Sequence, residues 1–280
     1  MTAPADGMAP VKIPANLPDL VRTAFHRARA SGDVQFFPTQ VTLLNVNSIP
    51  ADLDVAYACI NAYHHHHHHD DDDSGGEQNG AEEAEKGGGL YVFFNSGAAS
   101  GSSQPHRHLQ LLPVRCMREG LLEGDEGGRG GWEVLAGGLV EDEVRGRVPF
   151  QTFAEGISGE EGVDLEGVYR RLYRRACEAV LGSGFDGTVD DGREARVDYN
   201  LAMTRDVMVI APRVAEGTTV SSRVKEDGGR KVVGTLALNG TVLAGTALVK
   251  TREEWDALRA EPEQLVELLG RIGVPTVQAP

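Results

Sequence analysis

The sequence predicts an α+β fold: an antiparallel sheet with flanking helices, followed by a C-terminal α/β segment. Three observations predict it. Residues 90–95 (LYVFFN) form an apolar, aromatic run that enters a glycine- and serine-rich turn, and an alternating strand follows over 107–114. Residues 198–204 and 207–211 are apolar runs separated only by Arg205 and Asp206, a hairpin spacing. Residues 168–181 carry Tyr169, Leu172, Tyr173, Ala176 and Val180 at helical spacing, and Gly182 stops the pattern.

The other elements follow in chain order. Leu17, Leu20, Val21, Ala24, Phe25 and Ala28 keep helical spacing until Ser31-Gly32. Residues 34–45 are rich in strand formers, with Pro38 as an interruption. After Ile49-Pro50 a second helix is expected from Leu53, Ala56, Tyr57, Ile60 and Tyr63. Residues 64–69 are six histidines, followed by an Asp-, Glu- and Gly-rich tract that lasts to Gly89. Such a tract buries no apolar surface and is expected to be a disordered low-complexity loop. A flexible histidine run can chelate nickel or zinc, but expansion at a helix end accounts for the composition. Residues 132–140 are expected as a short strand pair around Gly137-Gly138, and Val148-Pro149-Phe150 opens a second segment. Residues 231–238 and 244–250 are expected as strands flanking the turn Asn239-Gly240-Thr241. Thr251 with Glu254 forms a capping-box pattern that opens a helix through Leu258, and Pro262 opens a last helix ending near Gly270. The divisions are 1–63, the loop 64–89, a segment 90–145 centred on the histidines, and 146–280.

The 280 residues are 40% hydrophobic and 25% charged, enough to bury a sizeable core. A net charge of −15 argues against nonspecific nucleic-acid or anionic-membrane binding, but a local site can still take an anionic small molecule. Cys59, Cys116 and Cys177 are widely spaced, as free thiols of a reducing compartment are. The first residues, MTAPADGMAP, contain no apolar core of a signal peptide, and no apolar run is long enough to span a bilayer. The expected location is the cytoplasm, or the nucleus as well.

The chemistry concentrates in residues 95–110 (NSGAASGSSQPHRHLQ). The turn can wrap an anion with backbone N–H groups and hydroxyls. His106, His108 and Gln110 alternate, so a strand puts them on one face. A neutral imidazole attacks phosphorus without prior deprotonation, which makes either histidine a candidate nucleophile. The pair could instead ligate a metal, or be ordinary histidines of a half-buried strand. Gln110 can donate to a phosphate oxygen without adding a proton equilibrium. Ser102 and Ser103 can donate hydroxyl bonds, and Asn95 either closes the strand or opens the turn.

The run from Phe93 to Gln110 resembles the signature of diadenosine tetraphosphate phosphorylases, also called ATP adenylyltransferases. These form the histidine-triad branch that has Gln in place of the third His. Residues 20–50, including PTQVTLLNVNSIP at 38–50, the stretch from Asp198 to Arg213 and residues 238–250 are also similar to that family. The resemblance implies a histidine-triad-like sheet and a reaction in two steps. His108 attacks an α-phosphate of a dinucleoside polyphosphate, ATP leaves, and inorganic phosphate then takes the adenylyl group from His108 to give ADP. It further implies that His106 supports the nucleophile and that Gln110 contacts the transferred phosphate. Asn95, Gly101, Ser102, Ser103 and Gln104 are implied to hold the polyphosphate. Asn239, Gly240, Thr241, Thr246 and Lys250 are implied to contact nucleotide, although the family has a bulkier apolar residue where Thr246 stands. Magnesium is implied to arrive with the substrate, with no dedicated protein site. The chain departs from the family after Pro50. A lysine- and proline-rich loop and a following strand are missing there, as in a gene lacking an exon or a decayed paralogue. Rival functions on the same residues are a dinucleoside polyphosphate hydrolase, another nucleotidylyltransferase, and a catalytically weak nucleotide-binding protein.

Overall fold

Strand β2 (Leu90–Ser96) is buried along its whole length. Leu90, Val92 and Phe94 enter one apolar cluster and Tyr91 and Phe93 another, as period-two alternation requires of a strand covered on both faces. The computed structural model describes residues 42–44, 49–69, 89–103, 108–119, 132–157, 162–187, 195–223 and 229–276. The expected helix at 17–28 and most of the strand expected at 34–45 lie outside them.

β2 pairs antiparallel with β3 (Leu109–Pro113) on one side and β5 (Tyr199–Met203) on the other. β1 (Thr42–Leu44), β4 (Phe153–Gly156) and β6 (Val207–Pro212) complete a sheet of order β1-β3-β2-β5-β6-β4, antiparallel throughout. Among the described residues β1 pairs with β3 alone, over three residues. β5 and β6 are the expected hairpin across Arg205-Asp206.

One sheet face is covered by helix α1 (Ile49–His69) and helix α5 (Leu165–Leu181). Leu53, Ala56 and Ile60 of α1 and Val168, Leu172 and Ala176 of α5 are fully or almost fully buried there. Asp164 caps α5, its carboxylate accepting the Gly167 N–H at 2.8 Å, so the helix begins three residues before the apolar spacing starts. Three short helices, α2 (Val114–Glu119), α3 (Leu135–Gly138) and α4 (Asp142–Arg147), lie between β3 and β4 in the chain. The other face is covered by the ribbon β7 (Gly217–Arg223) and β8 (Arg230–Ala237), a 3-10 turn (Gly240–Ala244), α6 (Arg252–Ala260) and α7 (Glu263–Ile272). No helix among the described residues is long and apolar enough to cross a membrane.

Four sequence expectations are corrected. Residues 135–138 form a helical turn, not a strand pair, with Ala136 and Leu139 anchored in the core. Residues 246–250 form no strand, because the Asn239 side chain caps the 3-10 turn and Gly245 leaves it at φ 81°. β8 pairs instead with β7. The strand expected to reach Val114 stops at Pro113, where α2 begins. Helix α1 runs through residues 64–69 of the tract expected as a loop, and residues 70–88 lie outside the described ones.

The Thr251 capping box forms as expected, and Glu254 does more than cap. Its buried carboxylate accepts backbone N–H groups of Lys250 at 3.0 Å, Thr251 at 3.1 Å and, from β8, Thr235 at 3.1 Å. Burial alone would raise its pKa, but these donors hold the carboxyl below its usual value. The depressed folded value means that stability is present above the unfolded glutamate pKa and is lost as pH falls through the folded one. Glu254→Ala is expected to cost about 1–3 kcal/mol in urea unfolding at neutral pH. The difference from wild type should shrink as the pH is lowered below 4; a gap independent of pH would contradict the assignment.

Candidate functional site

The glycine-serine turn leaves β2 at Gly97, whose φ of 82° is open to glycine. A Cβ there would strike the Asp198 carboxylate, and that carboxylate accepts the Ala99 N–H at 2.7 Å. Ser100 is fully buried, and its hydroxyl donates to the Gly97 carbonyl at 2.6 Å. Gly101 ends the turn at φ 76°. A Cβ on Gly101 would lie 2.5 Å from the Leu238 carbonyl oxygen, so the turn is pressed against the chain entering the 3-10 turn of the C-terminal segment. Gly101→Ala combines the strained φ with a backbone clash and is expected to lower stability by about 2–4 kcal/mol. A thermal midpoint within a degree or two of wild type would contradict that close approach.

Across the sheet, Phe93 stands opposite Gln110 and Phe94 opposite Leu109. One more step of this register sets His108 opposite Asn95. Residues opposite one another in an antiparallel pair share a face, with Cβ atoms about 5 Å apart. His108, Gln110 and Asn95 are therefore neighbours on the face that carries the C-terminal segment. His108 and Asn95 are each 5% exposed. His106 and Gln104 lie outside the described residues.

Asn95 is the junction. Its Oδ1 accepts from Asn200 Nδ2 at 2.8 Å and from the Gly240 backbone N–H at 2.8 Å. Asn200 Nδ2 also donates to the Ser100 carbonyl at 2.8 Å, which fastens the turn to β5. Gly240 has no room for a side chain, since a Cβ would lie 2.6 Å from the Phe93 ring and 3.0 Å from Asn95 Oδ1. The Tyr91 hydroxyl donates to the Gly240 carbonyl at 2.5 Å, and burial pushes the Tyr91 pKa well up. Asn239 Oδ1 accepts from the Thr241 N–H at 3.0 Å and its hydroxyl at 2.8 Å, and the Thr246 hydroxyl donates to the Thr241 carbonyl at 3.1 Å.

Behind this junction lies Arg213, 3% exposed. Its guanidinium donates to Asn200 Oδ1 and to the carbonyls of Ala215 at 2.9 Å, Glu216 at 2.9 Å, Leu238 at 3.0 Å and Ile272 at 3.2 Å. Burial lowers its pKa to about 10, which still leaves it charged at neutral pH. It ties the end of α7, the β6–β7 connection and the end of β8 to the sheet beneath the turn.

The structure thus brings Asn95, Gly101, His108, Gln110, Asn239 and Gly240 to one end of one sheet face, with Ser102 and Ser103 continuing the turn. Thr241 and Thr246 stabilise the 3-10 turn through each other and Asn239. Lys250 is exposed beyond this turn, and among the described residues its ammonium has no ion-pair partner. Sequence reasoning missed Ser100, Asn200 and Arg213. The available signal was a lone Asn inside the apolar run YNLAM and an Arg closing the run VMVIAP.

The family model described as the ATP adenylyltransferase C-terminal domain matches residues 146–275, and the Ap4A phosphorylase N-terminal domain matches residues 84–121. The curated protein APA1 of Saccharomyces cerevisiae is 27% identical over 188 residues, covering 65% of this chain and 52% of that protein. The chain thus spans about half the length of this relative. Two crystal structures of the yeast Ap4A phosphorylase Apa2 share the fold. The complex with Ap4A gives a TM-score of 0.52 at 19% identity, covering 85% of this chain and 70% of the other. The complex with AMP gives 0.56 at 16% identity, covering 95% and 100%. With both family domains matched in their natural order over more than half of its residues, the chain belongs to the ATP adenylyltransferase (Ap4A phosphorylase) family.

Proposed function

We propose that this chain cleaves diadenosine tetraphosphate with inorganic phosphate, giving ATP and ADP through an adenylyl-histidine intermediate on His108. One observation carries the reading: the β2–β3 register, which ends at Phe94 and Leu109, extends by one step to set His108 across from Asn95, where the glycine-serine turn and Gly240 converge. An imidazole beside a cradle of amide donors is the arrangement that phosphoryl-linked group transfer uses.

In the first step a ring nitrogen of His108 forms a bond to an α-phosphorus. The bond from that phosphorus to the bridging oxygen breaks, and ATP leaves with the electron pair. In the second step an oxygen of inorganic phosphate attacks the same phosphorus. The nitrogen–phosphorus bond breaks and ADP is released. Asn95, the turn through Ser102 and Ser103, and Gln110 hold the polyphosphate and oppose the charge that grows on the equatorial oxygens. On the family resemblance, Gln104 is assigned to phosphate binding and His106 to support of the nucleophile. The Asn239–Thr241 turn, Thr246 and Lys250 lie toward the nucleoside. The described residues form no cluster of three or more metal-ligating side chains. Magnesium is assigned to the substrate, as its polyphosphate chelate, on the family resemblance. The cysteine usage supports a cytoplasmic location.

The short join after Pro50 bears on rate rather than on the type of chemistry, because the lysines implied for the missing segment would bind phosphate and are not nucleophiles here. A transcript that encodes a lysine-rich insert at this point would identify the missing exon; one that encodes Pro50 followed directly by Ala51 would rule it out.

Purified protein with diadenosine tetraphosphate, phosphate and magnesium should yield ATP and ADP in equal amounts. ATP with AMP, unaffected by phosphate, would replace this reading with a hydrolase, and binding without turnover would reduce it to a nucleotide-binding protein.

A further inference from the structure

We propose that Arg213 and Asn200 are positioning residues that fix the orientation of the Asn95 amide, so that an N–H donor and not a carbonyl faces the bound anion. The inference rests on the anion-binding role of Asn95 proposed above.

The argument is one of hydrogen-bond polarity. A side-chain amide can be turned either way unless its partners discriminate oxygen from nitrogen. Arginine has donors only, so the atom of Asn200 that meets Arg213 is Oδ1. The Ser100 carbonyl can only accept, so the atom of Asn200 that meets it is Nδ2. Asn200 is therefore fixed from both sides. Its Nδ2 also meets Asn95, so the facing atom of Asn95 is Oδ1. The Gly240 N–H imposes the same choice independently. Arg213 reaches that second anchor too, because it holds the Leu238 carbonyl just ahead of the 3-10 turn that carries Gly240. With Oδ1 doubly occupied, the Asn95 Nδ2 group is left for the site, and among the described residues it finds no acceptor. Every link is charge-neutral beyond Arg213, so the cradle gains a directed donor without a titratable group.

Asn200→Asp tests the relay because it keeps the shape and strengthens the contact to Arg213. The new carboxylate has no donor for Asn95 Oδ1 or for the Ser100 carbonyl, and its charge on Asn95 outweighs the single remaining Gly240 N–H, so Asn95 should turn, donate to the carboxylate and present its oxygen to the anion. We expect ADP affinity, measured by calorimetry, to fall at least tenfold in a protein that remains folded at the assay temperature. The losses of Asn200→Asp and Asn95→Ala should not add in the double variant, since the first acts through the second. Additive losses, or a folded Asn200→Asp protein with wild-type ADP affinity, would overturn the relay. A second measurement needs no folded variant at position 200. In wild-type protein labelled with 15N-asparagine, ADP should shift the Asn95 side-chain amide pair strongly and the Asn200 pair little; an unmoved Asn95 pair overturns the proposal. ADP binding with these shifts but no phosphorolysis would reject the proposed reaction and uphold the relay. Wild-type protein that binds no ADP would overturn both.

Discussion

His108→Ala is expected to lose the proposed phosphorolysis of diadenosine tetraphosphate by a factor on the order of 10⁴ or more, the scale on which enzymes lose turnover with their nucleophile. The KM should change far less, since the contacts proposed for Asn95 and the glycine-serine turn to the polyphosphate, and for the Asn239–Thr241 turn to the nucleoside, remain. The argument is geometric before it is chemical. His108 is nearly buried at the start of β3 and stands across from Asn95 in the extended β2–β3 register. An imidazole nitrogen attacks phosphorus with its own lone pair, so the step needs no separate general base. Steady-state kinetics of a folded His108→Ala protein check this. Turnover within tenfold of wild type would remove His108 from the bond-making role.

Arg213→Met is expected to give the largest loss of stability, about 3–5 kcal/mol. The methionine fills the space but leaves the carbonyls of Ala215, Glu216, Leu238 and Ile272 and Oδ1 of Asn200 short of donors. Each buried acceptor left without a partner costs roughly 1–3 kcal/mol, of which relaxation and entering water recover a part. The damage should extend beyond Arg213, because those carbonyls belong to α7, the β6–β7 connection and β8. Urea unfolding would then show the C-terminal segment loosening from the sheet at lower denaturant than the β2–β5 core. A single transition at the wild-type midpoint would show that the guanidinium is not what joins them.

Much of this architecture is legible in the chain. The β5–β6 hairpin is readable because its two apolar runs are separated by only two polar residues. Helix α5 is readable because Tyr169, Leu172, Tyr173 and Ala176 keep one face apolar, and the Thr251–Glu254 cap because its two side chains are local partners. The errors come from local turn chemistry and from long-range pairing together. Residues 246–250 look like strand, yet Gly245 turns the backbone away and β8 finds its partner upstream. That partner, β7, reads Gly-Thr-Thr-Val-Ser-Ser-Arg, too polar to announce itself. The site divides the same way. Asn95, Gly101, His108 and Gln110 are close in sequence and were found together. Asn200 and Arg213 lie about a hundred residues away, and only the sheet brings them behind Asn95. A buried polar network of this kind has no signature in spacing. Its trace is a polar residue interrupting an apolar strand.

The central claim is that His108 carries the adenylyl group between two steps. Its most direct test is intact-mass analysis of the protein after brief incubation with diadenosine tetraphosphate and magnesium, phosphate being left out. The account predicts an added mass of one adenylyl group, mapped to His108 by peptide analysis and discharged as ADP when phosphate is added. Turnover to ATP and ADP that needs phosphate from the start, with no adduct on His108 at any time, would contradict it.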